Sequence, residues 1–383
     1  MKNINLNWIN RFVLWKQHLT DDSRIDDVVQ IVKDVGGLHA TGSKVPYLSL
    51  FARTRNFVKE SLDEELYVKR NLGKIRCMRG TLYILTKEMI PIAYAATRKT
   101  NEKLSKRYAE FRGVSYEKYE EFSKSILDVL KGKEMTAAEI QKTLKTQLDV
   151  SAILYLMCDQ GFVIRSRPRK YSLFHEYFPN MDLTKMNERE ARILLVQHYL
   201  SSFGPATEND IAWWTGLGKT RVQEALNKIQ KKTVRVEISN VKGNFIMLRS
   251  DENLIKTQAP SKRRTVNLLP SLDPYLMGYK KRERYLNHKH YDRVFDRSGN
   301  VTSTILLDGR VVGVWDFTED LEPLVKLFLL EEVEGSMLKQ IYLKAQKIGR
   351  FIADKEVQIR ECNSMVPLTR RTAGGVMSPL KGC

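Results

Sequence analysis

Apolar residues in the first quarter of the chain recur at helical spacing and then switch to alternation. The helical spacing predicts helices over 8–19, 25–35, 44–58 and 64–71, with Ile25, Val28, Val29, Val32 and Val35 forming one clear stripe. Alternation over 74–78 and 81–85, around Arg79-Gly80, predicts a two-stranded ribbon. Helices followed by a ribbon are the order of a winged helix, the helix-turn-helix variant that carries a hairpin beside its recognition helix. A long connecting helix follows over 93–111, with Arg98, Lys99, Lys103, Lys106 and Arg107 along one face.

The pattern then returns twice. Residues 116–130 are amphipathic, Thr136 can cap a helix with Glu139 three places on, and a helix over 150–160 ends at Gly161. Alternation over 162–174 predicts a basic hairpin carrying Arg165, Arg167, Arg169 and Lys170 around Pro168. In the third round, 188–203 is helical and Thr207 can cap 208–214 with Asp210. Gly216-Leu217-Gly218 turns into a helix over 220–230, and 234–238 with 244–248 form a ribbon. The repeat lies in element order, since the residues themselves are not repeated.

From Val266 the texture changes. Strands are expected at 266–270, 304–307 and 311–315, with Asp308-Gly309 making a tight hairpin turn, then helices within 321–351 and a flexible tail from 361. The expected fold is mainly α with β-hairpin wings, an α+β class of tandem winged-helix units. The expected units are 1–112, 113–182, 183–260 and an α+β domain at 261–360, with a tail at 361–383.

Charge adds a partner to this picture. Lys and Arg number 64 against 45 Asp and Glu, a formal charge of +19 spread along the whole chain, which points to a nucleic acid as the polyanion bound. The four cysteines, Cys77, Cys158, Cys362 and Cys383, are far apart and suggest neither a zinc site nor a disulfide framework. With no apolar run of membrane length and no signal-peptide layout, a cytoplasmic, nucleoid-associated monomer without metal or cofactor is expected.

Two motifs are decoys. Gly218-Lys219-Thr220 resembles the end of a phosphate-binding loop, but the first glycine of that motif would fall at Trp213. His288-x-His290 lacks a third ligand at useful spacing. Trp213-Trp214 reads as a helical pair with one ring in the core.

Candidate chemistry lies in Gly36-Gly37-Leu38-His39-Ala40-Thr41-Gly42-Ser43, an irregular stretch between two helices. His39 and Thr41 are two apart, so an extended backbone points both the same way. The positive end of the helix that follows, capped by Ser43, would favour a neutral imidazole able to accept a proton.

Taken together, these residues resemble the AlkZ/YcaQ family of winged-helix DNA glycosylases from about Trp8 to Phe351. Four stretches carry the likeness: Gly37-Leu38-His39-Ala40-Thr41 through Leu50-Phe51-Ala52-Arg53; Arg79-Gly80-Thr81-Leu82-Tyr83; Phe203-Gly204-Pro205-Ala206-Thr207 through Trp214-Thr215-Gly216-Leu217; and Leu268-Leu269-Pro270-Ser271-Leu272-Asp273-Pro274-Tyr275 with Asp308-Gly309-Arg310-Val311-Val312-Gly313-Val314-Trp315. The resemblance implies a C-shaped molecule that cradles duplex DNA and hydrolyses the N-glycosidic bond of alkylated purines, including N7-alkylguanine adducts and, in some members, interstrand crosslinks. Family members carry Gln, a hydrophobic residue, then Gln or Asp where this chain has His39, Ala40 and Thr41. The expected catalytic pair is therefore His39 and Thr41, and the exchange favours labile, positively charged adducts, which leave without a proton donor.

Arg53, Arg79, Arg165, Arg167, Arg169 and Lys170 are the expected DNA contacts, with the hairpin as a groove probe. A non-catalytic DNA-binding regulator or lesion sensor, or an RNA-binding module, would present the same charges without the chemistry.

Overall fold

The computed structural model describes residues 2–257, 263–319, 322–368 and 380. The chain opens with a strand, β1 (Lys2–Ile4), and a helix, α1 (Leu6–Lys16), and then enters the first winged unit. That unit runs α2 (Val28–Asp34), β2 (Leu38–His39), α3 (Val45–Phe51), α4 (Lys59–Asp63) with a π-helical turn at Glu64–Val68, β3 (Leu72–Arg76) and β4 (Leu82–Thr86). Asp27 caps α2 by accepting from Gln30 N–H, and Gly36 and Gly37 end it with φ of 76° and 94°. Gly37 is hard to replace, because its φ of 94° is one that L side chains rarely adopt and a Cβ there would stand 3.0 Å from the Ile84 carbonyl oxygen. That close approach lets β2 lie on β4. Ile31, Val35, Leu38, Leu50, Leu62, Leu72 and Ile84 form a closed core within this unit.

Helix α5 (Met89–Phe111) leads to the second unit: α6 (Tyr116–Leu130), β5 (Met135–Thr136), α7 (Ala137–Thr143), α8 (Val150–Asp159), β6 (Val163–Arg167), β7 (Lys170–Leu173) and α9 (Phe174–Tyr177). The third comprises α10 (Glu188–Phe203), α11 (Glu208–Thr215), α12 (Lys219–Lys228), β8 (Thr233–Ile238), β9 (Val241–Leu248) and α13 (Arg249–Thr257). Both expected capping boxes are present, Thr136 with Glu139 and Thr207 with Asp210. Strand orders β2-β4-β3 and β5-β7-β6 show one topology, a short early strand against the second strand of the wing. The third unit reduces that strand to a single bridge, Ala206 to Ile246 on β9. Gly218-Lys219-Thr220 lies at the turn into α12, as the helix-turn-helix reading requires.

The first unit differs from expectation at its start. α1 packs elsewhere: Gln17 Nε2 donates to Ser202 O at 2.9 Å, Asn10 Nδ2 donates to Arg284 O at 2.8 Å, and β1 pairs in parallel with β8. The apolar residues Ile9, Phe12, Val13 and Leu14 belong to the core built around Tyr199, Phe203 and Tyr275, which also takes in Tyr83 and Leu85 of the first unit, while Ile31, Leu38 and Ile84 form a separate cluster.

The C-terminal domain holds β10 (Val266–Leu269), α14 (Pro274–Met277), α15 (Tyr291–Val294), β11 (Thr304–Leu307), β12 (Arg310–Thr318), β13 (Leu324–Leu329), α16 (Gly335–Ala353) and β14 (Gln358–Glu361). The five strands lie in order β10-β11-β12-β13-β14, with α16 packed on the sheet. The stretch 321–351 contains the expected helix, α16, preceded by β13, where alternate residues, Val325 and Leu327, are buried. Most of the expected tail lies outside the described residues, and Cys362, expected to be free, is disulfide-bonded.

Candidate active site on the first winged unit

β2 is two residues long, and one of them is His39. Its register on β4 places His39 opposite Tyr83, and His39 Nε2 lies 2.9 Å from the Tyr83 hydroxyl, with the rings 4.3 Å apart. Only 3% of His39 is exposed. Burial pushes its pKa down to about 3, and the nearby Arg79 guanidinium pushes in the same direction. The imidazole is therefore neutral, as expected, but through burial and Arg79 and not through a helix dipole. Nδ1 makes no hydrogen bond among the described residues, yet it is not one of the sealed, partnerless atoms of the fold. It is the ring nitrogen left open to a water or a substrate.

Ala40 N–H still pairs with Leu82 O at 2.9 Å, after which the chain bends away before α3. Thr41 stands exposed on that bend, with no hydrogen bond to His39.

Arg79 sits in the turn between β3 and β4 with φ of 55°, held from below by Asn101 Nδ2, which donates to Cys77 O at 2.9 Å. Its guanidinium lies 4.0 Å from the centroid of the Trp213 ring and interacts with Tyr83. Arg282 approaches the same indole at 5.2 Å. Gly216 allows this junction of first and third units, since its φ is 73° and a Cβ there would stand 3.2 Å from Arg79 N. Trp214 is core and Trp213 half-buried, the division expected of the pair.

The remaining expected DNA contacts divide. Arg53 is fully buried and makes a bidentate ion pair with Asp273, 2.8 Å on each arm, so it is a structural clamp with no surface to offer DNA. Arg165 is half-buried between Tyr155 and Tyr171, at 5.3 and 5.6 Å from their centroids, and anchors the hairpin instead of extending from it. Arg167 is half-exposed, paired with Glu134 at 3.0 Å and placed over Tyr67. Arg169, at the turn with φ of 61°, is exposed and without an ion pair among the described residues, and Lys170 beside it is half-buried. The basic hairpin thus presents its tip, while its stem is packed.

Tyr83, Trp213 and Arg282 were not legible as site residues. Tyr83 reaches His39 through strand register, and Arg282 reaches Trp213 across two domains. Neither relation leaves a local signal.

Fold and site define a tandem winged-helix protein whose polar centre is mounted on the short strand of its first unit. The chain belongs to the AlkZ-like DNA glycosylase family, whose model matches residues 32–333. An interstrand DNA cross-link repair glycosylase from Streptomyces sahachiroi is 25% identical over 351 residues, covering 86% of this chain and 92% of that protein. The solved structure of the Streptomyces sahachiroi DNA glycosylase AlkZ matches with a TM-score of 0.76 at 20% identity, over 94% of this chain and 100% of that one, a likeness of fold. Among the described residues, no helix is long and apolar enough to cross a membrane.

Proposed function

We propose that the protein hydrolyses the N-glycosidic bond of N7-alkylated, cationic purines in duplex DNA, acting as a monomer, and that its substrates extend to bulky adducts or interstrand crosslinks like those named for its relative. The observation that carries this reading is a buried, neutral His39 tied at Nε2 to Tyr83, with Nδ1 left open.

A cationic base departs without protonation, so the protein's task is to hold a water near the anomeric carbon and to tolerate positive charge on the sugar. A protonated imidazole would oppose that charge, whereas a neutral one does not. In the tautomer that donates Nε2–H to Tyr83, Nδ1 presents a lone pair that orients the water. An imidazole with a pKa near 3 is too weak a base to take the proton early. Its contribution is therefore to position the water, which loses its proton once the sugar cation has been captured. Thr41, exposed two residues further on, supplies a hydroxyl to the same water or to the flanking phosphate. Arg79, with Arg169 and Lys170 at the hairpin tip, supplies phosphate contacts that set affinity without reading sequence.

Duplex containing N7-methylguanine, incubated with the protein and then treated with mild alkali, should break at the adduct. His39→Ala should lower that rate by ~10²-fold or more while duplex binding persists. Undiminished cleavage by the variant would remove His39 from the mechanism, and no cleavage by the parent protein across a panel of adducts would leave a DNA binder.

A further inference from the structure

A cavity of about 480 Å³ lies between the first winged unit and the C-terminal domain, where the segment after α3 faces β10 and α16. None of its lining residues belongs to the His39 strand or to the Arg79–Trp213 contact. Its size is that of a small-ligand site.

The lining is of three kinds. Phe51, Phe57, Leu268 and Ile348 make an apolar floor. Arg24, Arg55, Lys344 and Lys347 supply positive charge, and no Asp or Glu lines the cavity. Carboxylates just outside it neutralise in part: Asp21 lies 3.9 Å from Arg24, and Glu356 pairs with Arg350 at 2.8 Å. Lys344 and Lys347 make no ion pair among the described residues. Burial, with Arg24 and Lys347, pushes the Lys344 ammonium down to about 8 against an opposing pull from Asp21. The third kind is carboxamide. Gln340 and Asn267 line the wall, and Asn267 is 2% exposed with its Nδ2 unpartnered within the fold. A buried amide donor without a partner carries a desolvation cost that an acceptor reaching it from the cavity would relieve.

We propose that this cavity binds a single nucleotide, its phosphate against Lys344, Lys347 and Arg55, the face of its base on the apolar floor, and the edge of its base toward Asn267 and Gln340. A fatty acid would satisfy the floor and the cations but leave both carboxamides idle, and inorganic phosphate would leave the floor bare. The nucleotide chemistry has two sources, a free nucleoside monophosphate or an unpaired nucleotide projecting from a DNA strand. The inference is independent of the assignment of His39.

Calorimetric titration of the full chain with dAMP and dTMP should show one site with a Kd below ~1 mM, and inorganic phosphate should bind at least ~10-fold more weakly. Lys347→Glu, at an exposed position, should weaken nucleotide binding ~10-fold or more with thermal stability and adduct cleavage unchanged. A second arm compares a duplex bearing a single-nucleotide flap with a flush duplex. A flap preference that Lys347→Glu abolishes identifies the strand-borne source, and nucleotide binding without that preference identifies the free one. The proposal is overturned by absence of both, by phosphate binding as tightly as dAMP, or by binding that Lys347→Glu leaves untouched.

Discussion

The first winged unit and the third share a topology but spend the same junction differently. In the third unit the bridge residue Ala206 is followed at once by Thr207, whose side chain caps α11 by accepting from Asp210 N–H at 3.2 Å. The second unit does the same, with Thr136 both in its strand and capping α7. In the first unit, residues 40–44 separate β2 from α3, and α3 begins without a side-chain cap. The polar residues of that junction are thereby released from capping, and His39 and Thr41 occupy the space. What the first unit lacks locally it recovers from afar, since the chain just beyond α3 is fastened through Arg53 to Asp273. The candidate site thus occupies a turn freed of its structural duty, which another domain takes over.

The largest test of that trade is the clamp. Arg53→Ala leaves the Asp273 carboxylate buried and unpaired, and should cost about 3–5 kcal/mol in urea unfolding. A loss under 1 kcal/mol would mean that the first unit supports itself as the others do.

A second test uses acid. The folded pKa of His39 lies below the value of an exposed histidine, so the unfolded chain takes up the proton first and stability falls as pH drops below about 6.5 toward 3. Between pH 6.5 and 5 this amounts to about 2 kcal/mol, absent from His39→Gln. His198, pushed down to about 4 by burial, remains in both proteins, so the difference between their curves isolates His39. Parallel curves would show that the strand is open to solvent.

Smaller effects separate the junctions themselves. Thr207→Ala should destabilise by about 1 kcal/mol through loss of the cap, and Thr41→Ala, exposed and bonded to nothing, by less than about 0.5. Equal costs would erase the distinction. The smallest effect is expected at the hairpin tip, where Arg169→Ala should lower the slope of log K against log salt for duplex binding by about 0.9. An unchanged slope would place the tip away from the phosphates.

The helices and wings were legible because their signals are local. α10 starts and ends where its apolar spacing does, and both threonine capping boxes lie within four residues. The strands β1, β2 and β5 were not, because two or three residues carry no period and their partners lie far along the chain. The same distance misled the reading of charge. Arg53 is 220 residues from the carboxylate that claims it, and Arg165 rests on tyrosines from other elements, so exposure inferred from side-chain type failed at these two, while Arg167 stays exposed beside Tyr67. His39 stood out as a candidate because a lone imidazole in an irregular stretch is conspicuous, whereas the Tyr83 hydroxyl that meets it depends on strand register alone.

The pairing of β1 with β8, Asn3 against Glu237, has a consequence for biosynthesis. β1 leaves the ribosome more than 230 residues before the strand it pairs with. Until then the nascent molecule carries a bare strand edge and an amphipathic helix with nowhere to dock. Docking of residues 2–4 therefore waits on a partner more than 230 residues away, a non-local contact that forms late.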